Sequence, residues 1–215
     1  MKYSEIYDKD YYENGVCSGK SCYVNYGWMP EMTIKLAFNI IKHLNLKDND
    51  KIIDYGCAKG YLVKAMRILD IEAFGFDVSS YAIAHVDSEV RKYCNLIEDD
   101  KFLQNGNYNW LISKDVLEHM GEEDIDFLLK ESIGKVNKMF HVIPLGDGDG
   151  NFIVPEYHDD PSHIQIQNKD WWVRKFDQFG WDVVDFKYDV SGIKSNWTEK
   201  YKYGNGFFTL KSSST

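Results

Sequence analysis

The stretch best suited to chemistry is a short apolar run that ends in an acid and leads into a glycine-containing turn. Ile52-Ile53 leads into Asp54, and Gly56 and Gly60 follow closely. In an open parallel sheet, ligands bind beyond the carboxyl ends of strands, where the chain turns into a helix. Gly56 can take a positive φ and let the backbone approach a ligand, and Gly60 permits tight entry into a helix whose N–H groups attract an anionic group. The stretch therefore predicts a ligand-binding turn.

A second acid, Asp77, ends the next predicted strand roughly 20 residues later, the place from which an acid binds ribose hydroxyls. The turn is not a dinucleotide motif, because Ala58 stands where G-x-G-x-x-G needs its second glycine. Asp54 would repel a pyrophosphate, whereas it suits an ammonium or a sulfonium. S-adenosylmethionine carries both cations and a ribose, so we predict it as the cofactor.

Histidines in the segment 145–167, a long loop rich in Gly, Asp and His, are the candidates for proton transfer. Loops of this length are usually functional or disordered, and a histidine titrates close to neutral pH. We predict His163 as the general base for a hydroxyl acceptor and His158 as the second candidate. Alternatively, His163 orders the loop or only binds substrate. Residues 158–163 include metal-ligand types, but close spacing on one loop does not indicate a site, and we expect no metal.

Strands that alternate with helices must position these residues, and that alternation predicts a parallel, right-handed α/β sheet. Helical periodicity begins at Pro30. We divide the chain into an N-terminal arm or lid (1–30), one domain (31–211) containing the loop 145–167, and a tail (212–215). We predict strands at 51–54, 73–77, 110–113, 139–143, 181–188 and 207–211, with helices near 62–69, 81–86, 125–130 and 169–179.

Composition and charge exclude several classes of function. The net charge of −9 argues against a nucleic-acid binder, which needs clustered Lys and Arg to displace counterions. No apolar segment approaches the roughly 20 residues that cross a bilayer, so we expect no membrane insertion. The four cysteines lack metal-like spacing and no signal peptide is recognisable, which favours reduced thiols and a cytoplasmic location. The oligomeric state is not predictable.

Three ordered motifs resemble those of class I S-adenosylmethionine-dependent methyltransferases of the small-molecule type, over about residues 30–211. Residues 54–60, DYGCAKG, are similar to the first motif, D-x-G-C-G-x-G, except at Ala58. Asp77 matches the second motif, and residues 109–120, NWLISKDVLEHM, resemble F-D-L-V followed by V-L-E-H-I. The resemblance implies a Rossmann-like methyltransferase fold, a seven-stranded, mostly parallel sheet flanked by helices, with an N-terminal arm.

The resemblance also implies a role for each matching position. Backbone from Gly56 through Ala58 to Gly60 would hold the amino-acid end of the cofactor, and Asp115 would close the site under its methionine portion. Lys59 is expected to point to solvent. The adenosine would be bound by Asp77 at the ribose, Val78 at one adenine face, and Glu98 or Asp99 at the adenine amino edge.

Aromatic residues of the arm, Tyr11, Tyr23, Tyr26 and Trp28, have two interpretations. They either close over the sulfonium, since aromatic faces attract cations by roughly 0.5–2 kcal/mol, or they only attach the arm to the domain of residues 31–211. The spacing of the arm tyrosines resembles arms of methyltransferases associated with capsule and surface-glycan biosynthesis.

The leading hypothesis is methyl transfer from S-adenosylmethionine to a small polar acceptor, such as a hydroxyl of a sugar or nucleotide-linked capsule precursor. Two alternatives remain. One is an NAD-type oxidoreductase on a similar sheet, and the other is a non-catalytic, methyltransferase-like binding subunit.

Overall fold

The computed structural model describes residues 3–97, 103, 106–194 and 199–213. Its strands form one seven-stranded mixed sheet in the order β3-β2-β1-β4-β5-β7-β6. This confirms the predicted fold class. The strands are β1 (Lys51–Tyr55), β2 (Glu72–Asp77), β3 (Cys94–Leu96), β4 (Tyr108–Lys114), β5 (Val136–Pro144), β6 (Trp181–Lys187) and β7 (Asn205–Ser212).

Helices precede the sheet and connect its strands. None of the helices in the described part of the chain has the length and apolar character to cross a membrane. They are α1 (Tyr3–Ile6), α2 (Lys9–Glu13), α3 (Gly15–Ser18), α4 (Pro30–Leu44), α5 (Tyr61–Ile68), α6 (Ser80–Ala84), α7 (Glu122–Ser132) and α8 (Lys169–Gln178), with 3-10 turns at Arg91–Tyr93, Leu117–His119 and Pro155–Asp159.

The chain forms two compact units, of which the first comprises Met1–Phe102 and Asp159–Ser162. Within it, β2 pairs in parallel with both β1 and β3. All of β1 beyond its first residue is buried, as expected for a parallel strand covered on both faces. Gly75 of β2 is required by packing, because a Cβ there would lie 2.6 Å from Cys57 Sγ. The turn after β1 therefore packs directly on β2.

The second unit comprises Leu103–His158 and His163–Thr215. Here β4 and β5 are parallel, while β7 runs antiparallel to both β5 and β6. Trp172 of α8 is fully buried, and Trp181 Nε1 donates a hydrogen bond to the Leu129 carbonyl at 3.0 Å. The Trp181 hydrogen bond joins β6 to α7, and α8 packs against β6.

The predicted strands and helices all occur, with ends that differ by a few residues. Sequence patterns missed β3 and the helices of the arm, because each contains only three to five residues. Such short elements show no full period of hydrophobic alternation, and tertiary contacts stabilise them instead.

Candidate functional site

The turn after β1 has the backbone that its sequence predicts. Gly56 and Gly60 have φ angles of +78° and +76°, and Gly60 caps the start of α5. The N–H groups of Gly56 and Cys57 donate to the Phe76 carbonyl at 2.8 and 3.1 Å. Ala58 also takes a left-handed conformation, with φ +49°. The turn thus keeps the glycine-type backbone although one position carries a methyl group.

Asp77, at the carboxyl end of β2, is buried and bonded to backbone on both sides. One carboxylate oxygen accepts the Ala58 N–H and the other accepts the Ser79 N–H, each at 2.7 Å. Burial raises the pKa of Asp77, and these N–H bonds oppose the rise. A carboxylate offers about four acceptor positions. Asp77 therefore retains acceptor capacity for a ribose hydroxyl, and the residues present fit a nucleoside-bearing cofactor.

The N-terminal arm packs directly on residues of the predicted cofactor site. Tyr11 and Tyr12 are buried in a cluster that also includes the partly buried Ala58 and Val78. Tyr11 Oη donates to Asp160 Oδ2 at 3.4 Å. Burial raises the pKa of the Tyr11 phenol far above its ordinary value. These contacts attach the arm to the rest of the first unit, and both interpretations of the arm aromatics stay predictions.

Lys59 does not point to solvent, so that expectation is wrong. Its side chain is 8% exposed, and Nζ donates to Glu13 Oε1 at 2.5 Å and to the Tyr26 carbonyl at 2.9 Å. Tyr81 Oη donates to the same Glu13 oxygen at 3.0 Å. The motif turn thus carries an ammonium that anchors the arm. Sequence spacing could not reveal this pair, because Glu13 and Lys59 lie far apart along the chain.

Asp115 follows β4 in the second unit and lies between two lysines. Its carboxylate oxygens accept hydrogen bonds from Lys114 and Lys194, and its φ is +56°. Burial tends to raise the pKa of Asp115, but the two lysines outweigh burial and hold it well below its ordinary value. Asp115 is therefore an anion under physiological conditions. Lys194 is a residue that sequence reasoning missed.

Glu118, His119 and His163 form a cluster in the second unit. The rings of His119 and His163 have centroids 4.5 Å apart, and Glu118 is fully buried. Burial, together with the nearby Asp115, raises the pKa of Glu118 to about 8. Within the residues that the structure describes, neither carboxylate oxygen of Glu118 has a hydrogen-bond partner.

The two histidines predicted as bases have different surroundings. His163 Nδ1 lies 2.6 Å from the Tyr157 carbonyl, so Nδ1 carries the hydrogen and Nε2 is the basic nitrogen. His158 is exposed, and its Nε2 accepts the Phe152 N–H at 3.1 Å, a bond that orders the loop. This difference favours His163 over His158 as the candidate general base.

The remaining predicted positions divide into two groups. Asp54 is buried within β1, one residue before the strand ends at Tyr55, and its role at the turn stays a prediction. Glu98 and Asp99, predicted at the adenine edge, lie outside the described residues.

No protein-family model and no curated protein matches the chain. Solved structures with a similar fold include the glycopeptide N-methyltransferase MtfA complexed with sinefungin, at TM-score 0.61 and 12% identity, over 84% of this chain and 86% of that one. A methyltransferase from Archaeoglobus fulgidus has TM-score 0.62 and 14% identity, over 86% and 95%. The [4+2]-cyclase SpnF has TM-score 0.59 and 15% identity, over 83% and 80%. The chain therefore has the Rossmann-like fold of class I S-adenosylmethionine-dependent methyltransferases.

Proposed function

We propose that the protein transfers a methyl group from S-adenosylmethionine to a small polar acceptor. The observation that carries this proposal is the buried Asp77, held by the Ala58 and Ser79 N–H groups at the end of β2 and still able to accept ribose hydroxyls. Asp77 comes after the turn of residues 54–60, which begins with the acid Asp54. The chain has the fold of known methyltransferases.

In this proposal the residues of the first unit hold the cofactor. Asp54 attracts its cationic end, the turn from Gly56 to Gly60 lies against its amino-acid portion, and Asp77 binds the ribose. Val78 covers one face of the adenine. When bound, S-adenosylmethionine supplies an electrophilic methyl group on a sulfonium that leaves as a neutral thioether.

The arm, residues 1–30, would act as a lid over these positions. Ala58 and Val78 already pack against the buried cluster that contains Tyr11 and Tyr12. In this proposal the arm shifts to admit a ligand and then closes over it. Lys59 and Glu13 would hold the closed position. Exclusion of water by such closure strengthens the electrostatic interactions inside a site.

In the second unit, Asp115 and the histidines have the proposed chemical roles. Asp115 would close the site under the methionine portion. Alignment of nucleophile and methyl group can supply on the order of 7–11 kcal/mol, and a general base typically adds about 10²–10⁴-fold. Nε2 of His163 is the better proton acceptor, because the Nε2 of His158 already accepts a backbone N–H. A missing base would slow the reaction rather than abolish it.

The acceptor we propose is a hydroxyl of a sugar or a nucleotide-linked capsule or glycan precursor, methylated in the cytoplasm. Support comes from the spacing of tyrosines in the arm and from the acidic charge, which disfavours a polyanionic acceptor such as nucleic acid.

One alternative has a specific observation in its favour. A cyclase, SpnF, is among the proteins that share the fold, so the fold alone does not establish methyl transfer. Persistent cofactor binding without transfer to any acceptor in a panel of sugars and nucleotide sugars would favour a different reaction or a binding subunit.

Calorimetry with S-adenosylhomocysteine tests the cofactor site. We expect Asp54→Asn to weaken binding by about 10–100-fold, because a charged hydrogen-bond partner contributes roughly 1.5–3 kcal/mol. Asp48→Asn, an exposed acid in the same unit, is the matched control and should bind normally.

NADH distinguishes the two cofactor classes in the same assay. A pyrophosphate site would bind NADH, and Asp54→Asn would tighten that binding by removing a repulsion. The absence of S-adenosylhomocysteine binding in the wild type, or equal binding after Asp54→Asn, would contradict the proposal.

A further inference from the structure

We propose that Glu118, His119 and His163 form a binding site for a divalent transition-metal ion, with Zn²⁺ as the cation that the ligand types favour. From the close spacing of residues 158–163 alone, no metal is expected. The fold, however, joins His163 to two residues of the 3-10 turn Leu117–His119.

The ligand atoms of these three residues are already gathered. One atom from each lies within 4.8 Å of the others. Donor atoms on a tetrahedral ion with bonds of roughly 2.0–2.1 Å are about 3.4 Å apart. Small side-chain rotations are enough to close this difference. Two imidazoles and one carboxylate are a ligand set found in zinc sites.

Backbone hydrogen bonds hold the two segments of the cluster together. The Glu118 carbonyl accepts the N–H groups of Ile164 and Gln165, each at 2.9 Å. The residue before this pair is His163, so its position relative to the 3-10 turn is fixed by main-chain contacts. A site built on such fixed backbone requires little reorganisation to bind an ion.

His163 also has the partner that a metal-bound histidine typically has. Its Nδ1 lies 2.6 Å from the Tyr157 carbonyl and donates to it, so Nε2 carries the lone pair that can bind a metal ion. Metal-ligating histidines almost always donate their other N–H to a carbonyl, a carboxylate or water, and this bond fixes the tautomer and the ring orientation.

The carboxylate of Glu118 is the observation that points most directly to a cation. It is 0% exposed, and among the described residues no group donates a hydrogen bond to either oxygen. Buried carboxylates are normally paired, hydrogen-bonded or bound to metal. The nearby ammonium groups of Lys114 and Lys194 donate instead to Asp115. A cation between Glu118 and the two histidines would satisfy the orphaned oxygens.

The donor set also indicates which cation binds. Mg²⁺ and Ca²⁺ prefer sites made of oxygen ligands, whereas imidazole nitrogen suits Zn²⁺ and its transition-metal neighbours. Three protein ligands leave the fourth position of a tetrahedral ion for water or another oxygen ligand, as in catalytic rather than structural zinc sites.

A metal ion at this site would change the role of His163. Nε2 cannot accept a proton while it binds a cation, so the base role and the ligand role exclude each other. The metal site does not depend on the proposed methyltransferase function, since its test measures metal binding alone.

Titration calorimetry of the full chain, first stripped with a chelator, tests the site with Zn²⁺ alone. We expect about one equivalent to bind. Glu118→Gln and His163→Asn should each lower the affinity by at least about 100-fold, because loss of only an outer partner already costs about 10–100-fold. His85→Gln, an exposed histidine of the first unit, should bind Zn²⁺ as the wild type does.

Co²⁺ absorption gives a second readout and identifies the ligands. Binding to Glu118, His119 and His163 should give d–d bands without a thiolate charge-transfer band, whereas binding to the exposed Cys17 or Cys22 would give that band. Thermal melts of the metal-free variants establish that they fold. Folded variants that retain wild-type Zn²⁺ affinity, a wild type that binds no Zn²⁺, or a thiolate spectrum would overturn the proposal.

Discussion

Asp77 in the first unit and Glu118 in the second are both buried carboxylates, but their surroundings are opposite. Asp77 receives a backbone N–H on each carboxylate oxygen, whereas neither carboxylate oxygen of Glu118 has a hydrogen-bond partner among the described residues. Burial raises the pKa of both Asp77 and Glu118. The difference indicates that the Asp77 carboxylate is part of the framework of its turn, while the Glu118 carboxylate is not held by its described surroundings.

Removing the Asp77 carboxylate should produce the largest effect. Asp77→Ala leaves the N–H groups of Ala58 and Ser79 without their acceptor, and each unsatisfied buried group costs about 1–3 kcal/mol. We expect a loss of about 2–6 kcal/mol in the free energy of unfolding, measured by urea denaturation. Asp77→Asn, which keeps one acceptor oxygen, should lose less. Equal stability of wild type and Asp77→Ala would show that the Asp77 carboxylate does not stabilise its turn.

Lys59 extends the comparison to a buried cation that has two hydrogen-bond acceptors. Lys59→Met removes bonds to Glu13 and to the Tyr26 carbonyl, and we expect a loss of about 1.5–3 kcal/mol together with faster hydrogen exchange in the arm. The matched control is Lys20→Met, whose pair with Asp8 is about one-third exposed on each side. Exposed pairs contribute about 0–1 kcal/mol. Similar losses in the two variants would show that burial of the pair is unimportant.

His141 is a buried group that the fold keeps neutral. Its Nδ1 lies 2.7 Å from Ser113 Oγ, and burial lowers its pKa from 6.5 to about 3. Below pH 6.5 the unfolded chain binds a proton that the folded chain does not, so stability falls as the pH falls. Between about pH 6.5 and 5 we expect His141 to account for a loss of roughly 1.5–2 kcal/mol.

Denaturation of His141→Gln across the same pH range provides the measurement. Glutamine cannot bind a proton, so this variant should lose less stability than the wild type on acidification. Parallel pH profiles would show that His141 is protonated in the folded protein.

Glu118→Gln should have the smallest effect on the metal-free protein. No group in the described part of the chain donates a hydrogen bond to its carboxylate, and a neutral amide is easier to bury than an anion. We expect a change below about 1 kcal/mol at pH 8, measured by the same denaturation. A loss as large as that of Asp77→Ala would mean that Glu118 has a structural partner.

The sequence predicted the fold well because strand and helix periodicity extend through most of the chain. It also predicted the left-handed backbone at Gly56 and Gly60, since a tight turn after a strand favours glycine. The binding roles of Asp54 and Asp77 stay predictions. It could not predict partners that are distant in the chain. Glu13 and Lys59 meet through packing of the arm, and Glu118 meets the 163–165 segment through backbone bonds that leave no pattern in the sequence.

The left-handed backbone at Ala58 has a consequence for the arm. Such a conformation costs an alanine roughly 1–2 kcal/mol, yet its methyl group packs in the tyrosine cluster of the arm. A glycine here would relieve the strain and forfeit the contact. Whether Ala58→Gly stabilises or destabilises the protein therefore depends on whether the arm is docked. The free energy of unfolding of this variant thus reports docking of the arm.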